Sequence, residues 1–150
     1  MKKLFPCAMV AMCAFTPWVS FPPITHASDG VTVVSGADIG YSELKSRGYK
    51  WVWSDDKYSG YVQERTIKQV DKNTFTAQCA LHDANQEIIA YWDETIHFDS
   101  NTFDSSHTYI DAYRRNIWQE SPEDNCQGEA IKPGTLHAAI AEYVKSSTRK

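Results

Sequence analysis

Two adjacent rows of alternating apolar residues, within Phe75 to Phe98, constrain the fold of this chain more than any other feature. Apolar side chains alternate with polar ones from Phe75 to Leu81, and a second apolar row runs from Ile88 to Phe98. This two-residue period is typical of β-strands with one buried face. Asp83 to Gln86 separate the rows and favour a turn, because Asp and Asn side chains can bond their own backbone. The pattern predicts an antiparallel hairpin in which Leu81 pairs with Ile88.

The same alternation excludes a metal site made from the cysteine and the histidines of this hairpin. Cys79 lies in the inward-facing row, whereas His82 and His97 lie in the outward-facing row. Successive side chains of a strand point to opposite faces of the sheet, so these residues cannot share a zinc ion. The sequence predicts no metal site and no cofactor.

Aromatic and β-branched residues predict further strands on both sides of this hairpin. Tyr49–Ser54 and Ser59–Val70 indicate an earlier hairpin, and His107–Trp118 indicates a later strand. Two inward rows are compatible with the later strand. One row contains Ile110, Ala112 and Trp118, and the other contains Tyr109, Tyr113 and Ile117.

The charge pattern favours the row with Ile110, because that register lets Arg114 reach Glu94. Glu94 interrupts the apolar row of its own strand and needs a partner for its charge. In this register Arg114 also lies on the ring of Trp92, where a cation–π contact is favourable. The sequence therefore predicts a structural ion pair between Glu94 and Arg114.

The C-terminal segment changes to a helical period. Leu136, Ile140 and Val144 recur at positions i, i+4 and i+8, and Thr135 is a candidate N-cap. His137 lies beside this stripe and is predicted to be solvated. The sequence thus predicts an α+β fold, namely an antiparallel β-sheet of four to six strands with a C-terminal amphipathic helix packed on it.

Residues 1–27 have the composition of an export signal. Lys2 and Lys3 precede an uncharged and mostly apolar stretch, and Thr25 and Ala27 are small residues at the positions that a signal peptidase reads. Prolines interrupt the stretch and disfavour a membrane helix. Cleavage after Ala27 would leave one β-rich domain, residues 28–150, exported to the periplasm, the cell surface or the medium.

The charge and the cysteine content of this domain indicate which partners it can bind and how its cysteines are used. Without Lys2 and Lys3, 13 of the 15 basic residues remain against 19 acidic ones, so the formal net charge falls from −4 to about −6. The sequence therefore predicts no nucleic-acid binding, because such binding relies on clustered basic residues. Cys79 and Cys126 are the two cysteines after residue 27, and in an exported chain such a pair predicts a disulfide.

Two functions from different classes are compatible with these features, and no catalytic motif favours an enzyme. The first is a non-catalytic envelope or surface module for adhesion, or for binding a ligand or protein, through exposed aromatic residues. Its candidate residues are Tyr49, Trp51, Tyr58, Tyr61 and Tyr91. The alternative is a small envelope enzyme or small-ligand-binding protein. Its candidate residues are Glu94, Arg114, His97 and His107.

Two segments of the chain carry a resemblance to a known family. "YKWVWSDDKYSGYVQERTIKQVDKNTFTAQCALHD" and, far downstream, "IKPGTLHAAIAEYVK" resemble the bacterial surface-adhesin protein E-like domains. The resemblance implies a sheet-plus-helix fold in the envelope or at the cell surface and, for some relatives, adhesion to host matrix. It does not extend to a lipid anchor, because Pro6 precedes Cys7 and Met12 precedes Cys13.

Overall fold

The computed structural model describes residues 42–149, and the predicted export signal, residues 1–27, lies outside them. Residues 42–46 form a short helical segment. The elements that follow are β1 (Tyr49–Ser54), β2 (Tyr58–Gln63), β3 (Lys68–Gln69), β4 (Thr74–Asp83), β5 (Ile88–His97), β6 (Thr102–Ala112), β7 (Ile117–Glu120), β8 (Cys126–Ala130) and α1 (Leu136–Ser147). No helix within the described residues is long and apolar enough to cross a membrane.

The strands form one antiparallel sheet, and the predicted combination of such a sheet with a C-terminal helix is confirmed. The strand order is β1-β2-β4-β5-β6-β7, with β3 paired to β4 and β8 paired to β6. The sheet has eight strands rather than four to six. One of the additional strands arises because His107–Trp118 is not continuous. A turn at residues 113–116 divides it, and Asn116 adopts a positive φ of 53° there, which Asn tolerates better than most residues.

The central hairpin forms with a register two residues away from the predicted one. Leu81 pairs with Ala90, and Asp83 pairs with Ile88. The turn is tightened by Asp83, whose Oδ1 accepts hydrogen bonds from the backbone N–H groups of Asn85 and Gln86 at 2.9 and 3.0 Å. A shift of two residues leaves every side chain on its predicted face. The inward direction of the Leu81 row is therefore confirmed although its pairing is wrong.

Helix α1 packs on the inward face of the sheet and closes the main core. Leu136, Ile140 and Val144 are at most 1% exposed and contact the inward rows of the central strands. The side chain of Thr135 accepts a hydrogen bond from the backbone N–H of Ala138 at 3.3 Å. This confirms the predicted helix and its N-cap.

The outward face of the sheet carries a second, smaller cluster beneath the helical segment of residues 42–46. Leu44 has no exposed surface and belongs to this cluster. The other buried members are Tyr49, Tyr61, Ala80, Ile89 and Tyr91. The central strands are therefore covered on both faces, whereas β7 is not: all four of its residues are exposed.

The inward row predicted for the later strand is correct in part. Ile110 and Ala112 are buried in the main core, at 6% and 4% exposure. Trp118 was predicted in the same row but is 55% exposed. It pairs with Asp111 in the β6–β7 ladder, and Asp111 neighbours Ile110 on β6. Because successive residues face opposite ways, the turn places Trp118 on the outward face.

The predicted Cys79–Cys126 disulfide is wrong. Cys79 is a free cysteine with no exposed surface. It lies on β4, whereas Cys126 begins β8, and β5 and β6 stand between these strands. Three strand spacings amount to about 14 Å, far beyond the roughly 7 Å of Cα separation that a disulfide can span. The segment around Cys126 is instead positioned by pairing with Ser105.

Candidate functional site

Glu94 lies in a closed cluster between the sheet and α1. It has no exposed surface. Its Oε2 accepts a hydrogen bond from the indole N–H of Trp92 at 2.6 Å, and its Oε1 lies 2.6 Å from Nδ1 of His137. The His137 ring stacks on Phe103 with centroids 3.6 Å apart and planes at 14°. This arrangement ties the helix to β5 and β6 through one carboxylate.

The predicted ion pair between Glu94 and Arg114 is therefore wrong. Arg114 belongs to the turn between β6 and β7, and its Nε lies 2.7 Å from Oε1 of Glu87 in the neighbouring turn. These two side chains are 46% and 38% exposed. Glu94 pairs with Ser105 on β6, seven residues before Ala112, where β6 ends. The length of this strand keeps Arg114 away from the buried carboxylate.

His137 was predicted to be solvated but is 5% exposed. The helix buries a wider stripe than Leu136, Ile140 and Val144 alone. Ala141 follows His137 by four residues and is also buried, at 7% exposure. A small apolar residue one turn away was the signal in the sequence that His137 faces the sheet.

The residues proposed for an enzyme do not converge in the structure. Glu94 lies in the main core, and Arg114 lies in a surface turn. His97 and His107 each pair with an aspartate elsewhere, at nitrogen–oxygen distances of 2.9 and 3.1 Å. Within the described residues, no group of three or more His, Cys, Asp or Glu side chains could hold a metal ion.

The five aromatic residues proposed for binding have different environments. Tyr49, Tyr61 and Tyr91 are buried in the outward-face cluster, at 7%, 3% and 8% exposure. Tyr58 is half-buried against the main core on the other face. Trp51 is 57% exposed and pairs with Tyr61 at the β1 edge of the sheet. The five residues therefore do not form one exposed patch.

A different aromatic group lies at the β7 edge, where its tryptophan is accessible, and we call it the tryptophan platform: Trp118, Tyr109 and Tyr91. The Trp118 ring lies 5.6 Å from the Tyr91 ring and 5.7 Å from the Tyr109 ring, with interplanar angles of 31° and 28°. Trp118 is 55% exposed even so. Two tyrosine rings therefore contact Trp118, while more than half of its surface faces solvent.

Charged groups surround the tryptophan platform. The Tyr109 hydroxyl donates to Glu120 at 3.1 Å. Arg47 donates from Nη1 to the Tyr91 hydroxyl at 3.3 Å, and its guanidinium carbon lies 5.7 Å from the centroid of that ring. Arg47 also pairs with Glu43 at 2.8 Å. Asp111 lies directly across the β6–β7 ladder from Trp118, and its carboxylate has no hydrogen bond or ion pair among the described residues.

Burial and hydrogen bonding favour the protonated forms of three of these groups. Burial is the main cause that raises the pKa of Tyr91 to about 12. The hydrogen bond to Glu120 raises the pKa of Tyr109. Burial raises the pKa of Asp111, while Arg47 acts in the opposite direction. Both tyrosines therefore keep their hydroxyl hydrogens near neutral pH and act there as hydrogen-bond donors.

Of the three residues of the tryptophan platform, Tyr91 is among the binding residues that the sequence predicts, whereas Trp118 and Tyr109 are not. The sequence predicts one continuous strand from His107 to Trp118, and it places Trp118 and Tyr109 in two alternative inward rows of that strand. The Arg-Arg-Asn run at residues 114–116 was the available signal for a turn, since it holds three consecutive polar residues with an Asn at the end.

Comparisons of the chain with known protein families, with characterised proteins and with solved structures find no match.

Proposed function

We propose that this protein is a non-catalytic, exported module that binds its partner through the tryptophan platform. The observation that carries the proposal is a tryptophan that is more than half exposed, at 55%, although two tyrosine rings hold it in place. Export rests on the signal-like composition of residues 1–27. Adhesion to host matrix, which the protein E-like resemblance implies for some relatives, would be one form of this function.

A supported but exposed tryptophan suits binding for two physical reasons. Its large ring surface gains free energy when a partner removes it from water. The ring is also held before the partner arrives, so that little side-chain freedom is lost on binding. Tryptophan and tyrosine are accordingly enriched among the residues that dominate binding energies.

The enzyme alternative receives less support from the same structure. A general acid or base must come within hydrogen-bond reach of its substrate. Glu94 has no exposed surface, and both of its oxygens already have partners. The Glu94 cluster is better explained as a connection between helix and sheet than as a reaction centre.

Solid-phase binding tests the proposed function. Exported protein would be applied to immobilised envelope extract and to immobilised host-matrix proteins. We expect saturable binding to at least one of these surfaces. Trp118→Ala should weaken it at least tenfold, a change that corresponds to about 1.4 kcal/mol.

Ile117→Ala is the matched control for this experiment. Ile117 is 47% exposed and adjacent to Trp118 on β7, but its side chain points to the other face of the sheet. Truncation of the Ile117 side chain to alanine should leave the binding affinity within about twofold of that of the unmodified protein. Equal binding by Trp118→Ala and the unmodified protein would contradict a role for the tryptophan platform.

A further inference from the structure

We propose that the ligand of the tryptophan platform is a neutral saccharide, with one pyranose ring lying on Trp118 and its hydroxyl groups donating to Asp111. This inference rests on the proposed function and specifies the chemistry of the partner. Three properties of the site carry it: the orientation of the rings, the hydrogen-bonding groups beside them, and the mixture of charges.

The ring orientation suits a flat ligand better than a compact one. Trp118 lies at shallow angles of 31° and 28° to the two tyrosine rings, so these rings do not stand as perpendicular walls around a cavity. Such an arrangement offers one open aromatic face. The face of an aromatic ring carries negative charge density, which attracts the weakly positive C–H groups on the apolar face of a pyranose.

The polar groups beside Trp118 suit hydroxyl ligands. Asp111 lies across the ladder from Trp118, and its half-buried carboxylate has no hydrogen-bond donor among the described residues. An ionised carboxylate accepts several hydrogen bonds. Glu120 lies two residues after Trp118 and therefore on the same face, and it uses one oxygen to accept from Tyr109. Saccharide hydroxyls would supply the donors that Asp111 lacks.

The charges around the tryptophan platform favour a neutral ligand. Glu43, Asp111 and Glu120 would repel an anion. Arg47 already lies over the Tyr91 ring, with its guanidinium carbon 5.7 Å from the ring centroid, so a cationic ligand could make its cation–π contact on Trp118 but not on Tyr91. A saccharide meets neither obstacle, because its hydroxyl groups can donate to carboxylates and accept from a guanidinium.

Tryptophan fluorescence and amide chemical shifts of the exported protein provide the test. The probes are neutral oligomers of glucose, galactose, mannose and N-acetylglucosamine, compared with a heparin tetrasaccharide as the anion and arginine ethyl ester as the cation. We expect saturable binding of at least one neutral oligomer with a Kd on the order of 1 mM, the range of a weak single-site contact. The amide shifts should be largest in β6 and β7.

Variants connect this binding to the proposed contacts. Trp118→Ala should reduce the affinity at least tenfold, and Asp111→Asn at least threefold, because the amide is a weaker acceptor than the carboxylate. Ile117→Ala should keep the affinity. Circular dichroism and thermal unfolding establish that each variant is folded, and the chemical-shift map of the unmodified protein locates the site without any substitution.

Three results would overturn the saccharide assignment: no binding of any neutral oligomer, binding of the anion or the cation in their place, or an equal loss in Trp118→Ala and Ile117→Ala. The first two results leave the proposed function intact if Trp118→Ala still abolishes binding to envelope or matrix material. If neither experiment responds to Trp118→Ala, the saccharide assignment and the proposed function both fail.

Discussion

Cys79 and His82 lie three residues apart on β4 and face opposite sides of the sheet, yet burial shifts the pKa of both side chains. It lowers the pKa of His82, with Asp83 opposing the shift. It raises the pKa of the Cys79 thiol well above its usual value, and the nearby Glu94 adds to this effect. Burial favours the neutral form of each group. We can therefore predict how His82 makes the free energy of unfolding depend on pH and how slowly the Cys79 thiol reacts with an alkylating reagent.

We predict that His82 makes the fold less stable as the pH falls below about 6.5, the usual pKa of histidine. Its folded-state pKa is depressed, so the unfolded chain takes up a proton first and the free energy of unfolding decreases. His82→Gln can still bond Tyr113, which lies 3.2 Å from Nε2 of the histidine. In urea titrations between pH 7.5 and pH 5.5, the variant should lose less stability than the unmodified protein.

His107→Gln is the control for the His82 prediction. The His107 side chain is 74% exposed, so this substitution removes a surface histidine and leaves the core intact. The prediction is wrong if His82→Gln and His107→Gln give the same slope of stability against pH.

The Cys79 thiol should resist alkylation in the native protein. It has no exposed surface, and its raised pKa leaves very little thiolate to react. After iodoacetamide treatment at pH 8, mass spectrometry should find the Cys79 peptide unmodified in native buffer and fully alkylated in guanidinium chloride. Rapid modification of Cys79 in native buffer would place it outside the core.

Helix α1 is connected to the sheet by apolar packing and by one charged group. Leu136 and Ile140 supply the packing, and His137 supplies the contact with Glu94 at 2.6 Å. A buried carboxylate is costly unless its partners remain in place. The position of the helix is therefore coupled to a hydrogen bond between two side chains from distant parts of the sequence.

We predict that His137→Phe destabilises the fold by about 3 kcal/mol, the cost of leaving a buried charge without one partner. Phenylalanine retains the stacking on Phe103, so the loss reports mainly on the hydrogen bond. Adding Glu94→Gln should recover more than half of it, because the neutral amide still accepts from Trp92. The free energy of unfolding in urea provides the measurement.

Arg114→Met tests the assignment of the partner to Glu94. The observed pair of Arg114 with Glu87 is a surface pair, and such pairs contribute about 0–1 kcal/mol. We therefore expect Arg114→Met to cost less than about 1 kcal/mol. A loss near 3 kcal/mol from Arg114→Met, with none from His137→Phe, would support the ion pair that the sequence predicted.

At the scale of the whole molecule, the tryptophans within residues 42–149 differ in their exposure to solvent. Trp92 is 7% exposed in the main core, whereas Trp51 and Trp118 are 57% and 55% exposed at opposite edges of the outward face. The central strands are covered by α1 on one face and by residues 42–46 on the other. At the β7 edge the accessible tryptophan also contacts two tyrosine rings.

Substitution of two tryptophans should therefore give very different stabilities. Trp92→Ala should cost at least 3 kcal/mol, as is usual for a buried aromatic residue. Trp118→Ala should cost at most about 1.5 kcal/mol, the value of its contacts with aromatic neighbours. Guanidinium denaturation of the two variants checks this. Similar losses for both would make Trp118 a core residue and remove the basis for the tryptophan platform.

Local pattern was enough to determine the α+β class, the strands around the central hairpin, the inward face of Cys79 and the helix capped by Thr135. These features depend on the period of apolar residues and on capping, both of which act over a few neighbouring positions. The free thiol of Cys79, the burial of His137 and the exposure of Trp118 did not follow from the pattern. Each depends on which distant segment comes to lie beside it.

The tertiary structure decided these points through strand order. Because β5 and β6 lie between β4 and β8, Cys79 cannot reach Cys126. Because the chain turns at residues 113–116, Arg114 is removed from Glu94, and Trp118 comes to lie over Tyr109. A periodic sequence specifies the face on which a side chain lies, whereas its partners are set by pairing across the sheet. For this protein the sequence alone determined the faces of the central hairpin, whereas the turn at residues 113–116 and the order of the strands decided the contacts.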